Sequence, residues 1–162
     1  MNLTTPRLLI RNLEQSDNLA WLEIFSSKNV AKFLTKVDNI DEINKLIDKK
    51  IEKYKKNPGG NYSVILKENN KVIGNIDLKI NGNVGEIGYV FNDKYWCKGY
   101  CTESCRAIID YCFSELKLCK ICADCVKTNF ASIHILKDKL GFKLIREEHK
   151  YNTTFAFFEL TK

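Results

Sequence analysis

The chain has 162 residues, 44% of them hydrophobic and 28% charged, with a formal net charge of +6. That balance argues against a disordered chain and predicts one domain, residues 1–162, large enough for a real core. No apolar run approaches the roughly 18 residues of a membrane span, and the opening M-N-L-T-T-P-R-L lacks a charged region followed by an apolar stretch, so a cytoplasmic protein without a signal peptide is expected. In chain order, residues 7–13 (R-L-L-I-R-N-L) read as a first strand, and Gln15–Ser27 as a helix with Leu19, Leu22 and Phe25 facing inward. A longer helix is predicted over Asp38–Lys56, where Ile40, Ile43, Ile47, Ile51 and Tyr54 recur every three or four residues. Asp38 is its expected cap, and Asn57-Pro58-Gly59-Gly60 its stop. Tyr62–Lys67 and Lys71–Ile80 read as a hairpin about a turn at Glu68–Asn70, and Asn81-Gly82 as the turn into the next strand. A helix over Gly99–Leu116, a strand over Lys120–Val126, a helix over Ala131–Lys139 ended by Gly141, and a closing hairpin of Phe142–His149 with Thr154–Leu160 complete the chain.

The predicted order is β-α-α-β-β-β-α-β-α-β-β. Strands and helices mix without regular βαβ alternation, which fits an α/β (α+β) fold with one mostly antiparallel sheet and helices on both faces. The strand-helix-strand unit at 85–126 is expected to form a parallel pair.

The lysines are dispersed and no basic helix stands out, so the positive charge reads as a solvated surface or an attraction for a polyanion such as a nucleotide cofactor, and not as a nucleic-acid site. The seven cysteines are odd in number and no secretory signal is present, so a disulfide framework is not expected. Cys119, Cys122 and Cys125 have a spacing that suggests a metal, but in a strand Cys122 and Cys125 point to opposite faces, so no metal is expected. Cys101, Cys105 and Cys112 fall on one helix face with Ile108 and Leu116, where cysteine acts as a small hydrophobe.

The stretch Gly85–Arg106 carries the chemistry. Glu86, Gly88 and Val90 alternate with Ile87, Tyr89 and Phe91 along a strand; polar Asn92 and Asp93 turn the chain; W-C-K-G-Y-C then leads into a helix with Thr102 and Glu103 in its first turn. The first N–H groups of a helix have no intrahelical partner and its dipole favours an anion there, so a glycine-bearing turn at that end can cradle phosphate.

This order, with these motifs, resembles the GCN5-related N-acetyltransferase (GNAT) superfamily, and within it the ribosomal-protein alanine N-acetyltransferase (RimJ/RimL-like) group. L-T-T-P-R-L-L-I-R-N-L resembles that group's first strand, G-E-I-G-Y-V-F with Y-W-C-K-G-Y-C-T-E its acetyl-CoA segment, and N-F-A-S-I with L-K-D-K-L-G-F its penultimate helix and the strand after it. The sequence departs from the group's pattern at Trp96, where Gln or Arg is common, at Cys97, where Gly is frequent, and at Cys101, where Gly or Ala is usual. The Asn129-to-Gly141 spacing is one residue longer than usual.

The resemblance implies the acyl-CoA N-acyltransferase fold, with about seven strands flanked by about four helices. It implies transfer of an acetyl group from acetyl-CoA to a primary amine, either a protein N-terminal amine or a small molecule, by direct attack in a ternary complex. A non-catalytic acyl-CoA-binding module, or an enzyme acting on a polyamine, aminoglycoside or amino acid, is the alternative. A monomer or homodimer is expected. In this reading the pyrophosphate sits on the backbone of Cys97, Lys98, Gly99, Tyr100, Cys101 and Thr102. The pantetheine arm pairs with Tyr89, Val90 and Phe91, an N–H of Val90 or Phe91 holds the thioester oxygen, and Asn129 contacts the arm. Glu86 is the expected base, with Asp77 a weaker choice. No tyrosine lies between Asn129 and Gly141 to protonate the departing thiolate, and Ser132 is the substitute. Trp21, Phe25 and Phe33 either line the acceptor pocket or belong to the core.

Overall fold

The computed structural model describes residues 2–55 and 59–162. Eight strands form one mixed sheet: β1 (Asn2–Thr4), β2 (Leu8–Asn12), β3 (Gly59–Leu66), β4 (Lys71–Asn81), β5 (Val84–Phe91), β6 (Lys120–Val126), β7 (Lys143–Lys150) and β8 (Thr153–Thr161), in the spatial order β1-β2-β3-β4-β5-β6-β8-β7. All neighbours are antiparallel except β5 and β6, the expected parallel pair. The strand beyond the expected seven is β1, too short to show alternation; Thr5–Arg7 turn the chain back so that Asn2 pairs with Arg11 and Thr4 with Leu9.

Four helices flank the sheet: α1 (Asn18–Ser26), α2 (Ile40–Lys55), α3 (Tyr100–Ser114) and α4 (Phe130–His134). Alternation along β3 shows which face each serves. Tyr62, Val64 and Leu66 join the main core with Cys105, Ile108 and Cys112 of α3, whereas Ser63 between them reaches Asp17 at the start of α1. The cysteine stripe of α3 is thus core: Cys105 and Cys112 are fully buried. Trp21, Ile43 and Ile47 close a second, smaller core under α1 and α2.

Two local readings change. Asn39, not Asp38, caps α2: its Oδ1 accepts the N–H groups of Asp41 at 2.8 Å and Glu42 at 3.4 Å, while Asp38 pairs with Lys36 at the surface. The expected stop of α2 falls partly on residues 56–58, outside the described residues, and Gly59 and Gly60 already belong to β3. After α4 the helix widens into a π-helical turn over Ile135–Lys139, with Leu140 N–H donating to Ile135 O five residues back at 2.9 Å. A π turn holds one more residue than an α turn. Gly141 then takes φ 81°, as a helix-ending glycine does.

The first helix is tied to the sheet by a buried carboxylate. Asp17, 3% exposed, accepts hydrogen bonds from Arg11 at 2.7 and 2.9 Å, from Ser63 at 2.6 Å and from the Glu14 N–H at 3.1 Å. Burial pushes its pKa up, but the bonds from Arg11, Ser63 and Glu14 outweigh burial and hold it below the ordinary aspartate value. A group depressed in the folded state stabilises above its unfolded pKa, near 3.9, and loses that contribution as pH falls through the folded value. Asp17→Ala, which leaves Arg11 with only Glu14 at 3.6 Å and the Asn12 carbonyl and leaves Ser63 without its acceptor, is therefore expected to cost about 3 kcal/mol at pH 7. The difference from wild type should shrink below pH 4; urea unfolding at pH 7 and pH 3 measures both.

Candidate active site

β5 and β6 pair through only three residue pairs, Val84 with Lys120, Gly85 with Ile121 and Glu86 with Cys122. Beyond them β5 stays with β4 as far as Phe91 opposite Gly74, and β6 stays with β8 as far as Val126 opposite Phe155. Each strand follows its antiparallel partner, so the two diverge. A cleft of about 660 Å³ opens between Ile87–Phe91 and Ala123–Val126, within the usual size for a small-molecule site.

The cleft reaches both faces of the sheet. Ile87, Ala123 and Cys125 lie on the α3 side with Tyr89; by alternation Gly88, Val90, Asp124 and Val126 lie on the other, where Phe33 and Leu34 from the chain between α1 and α2 add an apolar wall. Trp21 and Phe25 stack in the small core instead, their ring centroids 5.3 Å apart.

On the α3 side the Tyr89 hydroxyl lies 2.8 Å from Ser132 Oγ, and Ser132 is 8% exposed. Burial pushes the Tyr89 phenol far above its ordinary range, with the neighbouring Cys101 and Cys105 thiols adding to it, so Tyr89 keeps its proton. Asn129 caps α4, its Oδ1 accepting the Ser132 N–H at 3.1 Å, and lines the same wall.

At one end of the cleft the chain makes a cradle. Cys97 has φ 60° and Gly99 φ 80°, and Gly99 is the N-cap of α3. The N–H groups of Tyr100, Cys101 and Thr102 have no intrahelical acceptor and find none elsewhere among the described residues. The N-terminal turn holds this loop in place. Arg7 donates from Nε to Glu103 Oε2 at 2.7 Å and from Nη1 to Lys98 O at 3.0 Å, and its guanidinium stacks 4.5 Å from the Tyr100 ring centre. Thr5 Oγ1 donates to Glu103 Oε1 at 2.6 Å. Burial pushes the Glu103 carboxyl up, but Thr5 and Arg7 outweigh it and hold it below its ordinary range. Trp96 turns its indole N–H onto Phe91 O at 2.8 Å, bracing the strand end against the loop.

Of the residues singled out from sequence, Tyr89, Val90, Phe91, Cys97, Gly99, Tyr100, Cys101, Thr102, Asn129 and Ser132 all line the cleft. Lys98 does not; its ammonium lies 5.4 Å from the Tyr95 ring centre. Glu86 does not either. It pairs with Lys79 and lines a separate hollow of about 190 Å³ on the outer face. Asp77 is tied to Lys50 and Tyr54. Sequence reading missed Arg7 and Thr5, whose partner Glu103 is 96 and 98 positions away, and Asp124, a lone acid on the outward alternation of β6 that lines both cavities.

A family model described as an acetyltransferase (GNAT) domain matches residues 7–143. The chain belongs to the GNAT acetyltransferase family. It is 37% identical over 145 residues to the uncharacterized N-acetyltransferase YnaD of Bacillus subtilis (strain 168), covering 88% of this chain and 83% of YnaD. The crystal structure of a GNAT-family acetyltransferase from Bacillus anthracis superposes with a TM-score of 0.88 at 30% identity, covering 99% of this chain and 98% of that one. RimL, a ribosomal L7/L12 alpha-N-protein acetyltransferase in complex with coenzyme A, shares the fold at 15% identity, with a TM-score of 0.86 and coverage of 99% and 98%. The protein is an N-acetyltransferase with a RimL-like fold, and GNAT acetyltransferases use acyl-CoA. No helix among the described residues is long and apolar enough to cross a membrane.

Gly88 gives a steric test of this GNAT cleft. A Cβ there meets nothing within 4 Å and the backbone is not left-handed. Gly88→Leu should therefore fold with a stability within about 0.5 kcal/mol of wild type while its side chain fills the outer half of the cleft. Turnover is expected to fall at least about tenfold, with thermal unfolding and a thiol-release assay as the two measurements. Gly99→Val acts at the other end, where φ 80° strains a branched residue by about 1–2 kcal/mol; it should weaken binding of coenzyme A, read by calorimetry.

Proposed function

We propose that the protein, as a single catalytic unit, transfers the acetyl group of acetyl-CoA to a primary amine by direct attack in a ternary complex. The observation that carries this reading is the cleft through the sheet, with an unpartnered helix N-terminus at one end and a buried hydroxyl pair in its wall. RimL, which shares the fold, holds coenzyme A, and that supports a CoA thioester as donor. Diphosphate oxygens suit the Cys97–Thr102 backbone with the α3 dipole behind it. Lys98, exposed beside that loop, adds positive charge. The pantetheine arm takes the place of a strand along Tyr89–Phe91, and the Asn129 amide, whose NH2 has no partner among the described residues, faces it. The N–H of Phe91 holds the thioester oxygen and the charge that grows on it during attack, since the Val90 N–H faces β4, in the same sense as the Asn92 N–H that donates to Ile73 O.

The acceptor must lose a proton to attack and the sulfur must gain one to leave. Glu86, Asp77 and Asp124 are the carboxylates on the outer face near the cleft; Ser132, backed by the Tyr89 hydroxyl, is the donor to the thiolate. A thiolate with a pKa near 8.5 leaves readily, so positioning supplies much of the rate and the acid a smaller part. The hydroxyl pair favours a catalyst over a binding module. A protein N-terminal α-amine is the acceptor that the RimL-like fold suggests; a polyamine, an aminoglycoside and an amino acid are the competing classes.

Incubation of the protein and acetyl-CoA with one amine of each class should release free CoA thiol with one class far ahead. Failure to bind acetyl-CoA at millimolar concentration would overturn the reading, and binding without turnover in any class would leave an acyl-CoA-binding module. Tyr89→Phe, which keeps the ring and removes the hydroxyl behind Ser132, is expected to lower kcat about tenfold and to leave acetyl-CoA affinity unchanged.

A further inference from the structure

We infer that the acceptor is a hydrophobic monocation, a primary amine with an aromatic or branched aliphatic group close to its nitrogen, a reading that rests on the acetyl transfer proposed above and narrows its acceptor. The outer half of the cleft is an apolar cup. Phe33 and Leu34 close it from the chain between α1 and α2, and Val90, Val126 and Phe155 line it from β5, β6 and β8. Val126 and Phe155 are a cross-strand pair, and Cys125 and Ala156 beside them turn into the main core, so both point to the outer face. Among the described residues none of these side chains belongs to either hydrophobic core. Leu34 is 43% exposed, and a Cβ on Gly88 would meet nothing within 4 Å, so the cup is open. Apolar side chains gathered around an open hollow, serving no core, gain from a ligand whose own apolar surface covers them.

Charge limits the acceptor further. Asp124 is the only carboxylate that lines the cleft among the described residues, and it has no hydrogen bond or ion pair there. One carboxylate balances one ammonium. The other carboxylates of the outer face are already matched: Glu86 pairs with Lys79, Asp77 with Lys50 and Tyr54, Glu148 with Lys150 at 2.7 Å and Glu159 with Lys120 at 2.9 Å. Lys79 and Lys150 lie close enough to act on the charge of Asp124. A further ammonium on the acceptor would therefore meet these cations and find no carboxylate left to receive it. A polyamine carries such charges along its length. An aminoglycoside adds hydroxyl groups, which the apolar walls would strip of water without offering hydrogen bonds. A free arylalkylamine and a polypeptide whose first residue is large and apolar share the chemistry that fits.

The test compares kcat/KM, at saturating acetyl-CoA, for ethylamine, 2-phenylethylamine, spermidine, kanamycin and a tetrapeptide that begins with phenylalanine. 2-Phenylethylamine should exceed ethylamine by about thirtyfold, the return on burying a phenyl group against the cup, and should also exceed spermidine and kanamycin. The peptide ahead of 2-phenylethylamine assigns the source to a polypeptide terminus, and the reverse order to a free amine; both support the cup. Leu34→Asp and Phe33→Ala should each cut the ratio of 2-phenylethylamine to ethylamine about tenfold. That ratio, taken within one preparation, is blind to any loss of folded protein. 2-Phenylethylamine no better than ethylamine, spermidine or kanamycin ahead of it, or a ratio unmoved in both variants overturns the assignment while leaving acetyl transfer standing. If no amine is acetylated, acetyl transfer itself fails, and saturation-transfer NMR of 2-phenylethylamine with the protein and coenzyme A decides the cup. Binding that Leu34→Asp weakens supports it; no binding, or binding that Leu34→Asp leaves unchanged, overturns it.

Discussion

The divergence of two parallel strands governs this molecule. β5 and β6 share three residue pairs, and beyond them each keeps the longer pairing with its antiparallel neighbour, β4 or β8, whose directions differ. The gap exposes strand edges inside the body of the protein, where unpaired backbone groups are costly unless a ligand or water meets them. An extended ligand that offers amide groups relieves that cost, which is why a cleft of this kind suits the arm of a CoA thioester better than a compact metabolite. The same gap joins the two faces of the sheet, so that a donor and an acceptor can approach one carbonyl carbon from different sides.

A cradle for anions needs more than a free helix end. Glu103 sits in the first turn of α3, where a carboxylate competes with phosphate for the dipole. Arg7 and Thr5 engage both its oxygens. The ion pair therefore removes the repulsion as well as fastening the loop. Because Arg7 also holds Lys98 O, the left-handed turn at Cys97–Gly99 is fixed from outside by the first hairpin. That lets a cysteine occupy a position whose backbone conformation favours glycine.

Most of the fold was legible because it is written locally. The alternation of β5, the tight turn after β4 (Gly82–Asn83, one residue beyond the expected Asn81-Gly82, with Asn81 still paired to Val84) and the cysteine stripe of α3 each depend on near neighbours. The turn into α3 was legible for the same reason: one glycine, one turn and one helix start lie within a few residues. The clamp from Arg7 was not, since nothing near residue 7 announces a partner at residue 103. Nor was the state of Glu86. Its place on the strand is local, but its pairing with Lys79 comes from the register of β4 against β5, which sequence periodicity does not set. Asp124 was hidden by the opposite effect: among the cysteines of β6 it reads as one polar residue of an ordinary half-exposed strand.

The last helix is held at both ends by contacts that do not tolerate a change in length. Its start is pinned by the Asn129 side chain on the Ser132 N–H, and its end by the burial of Leu136 and Phe142, 1% and 2% exposed. An extra residue near Ser132 would swing that hydroxyl away from Tyr89, breaking a 2.8 Å contact. An extra residue after Phe142 would shift the β7–β8 register and expose one face of β8 in place of the other. Only the stretch between the pins can yield, and there the helix widens at Ile135–Lys139. The π turn thus falls in the one stretch of this helix that neither the Asn129–Ser132 cap nor the buried Leu136 and Phe142 hold in place from both sides.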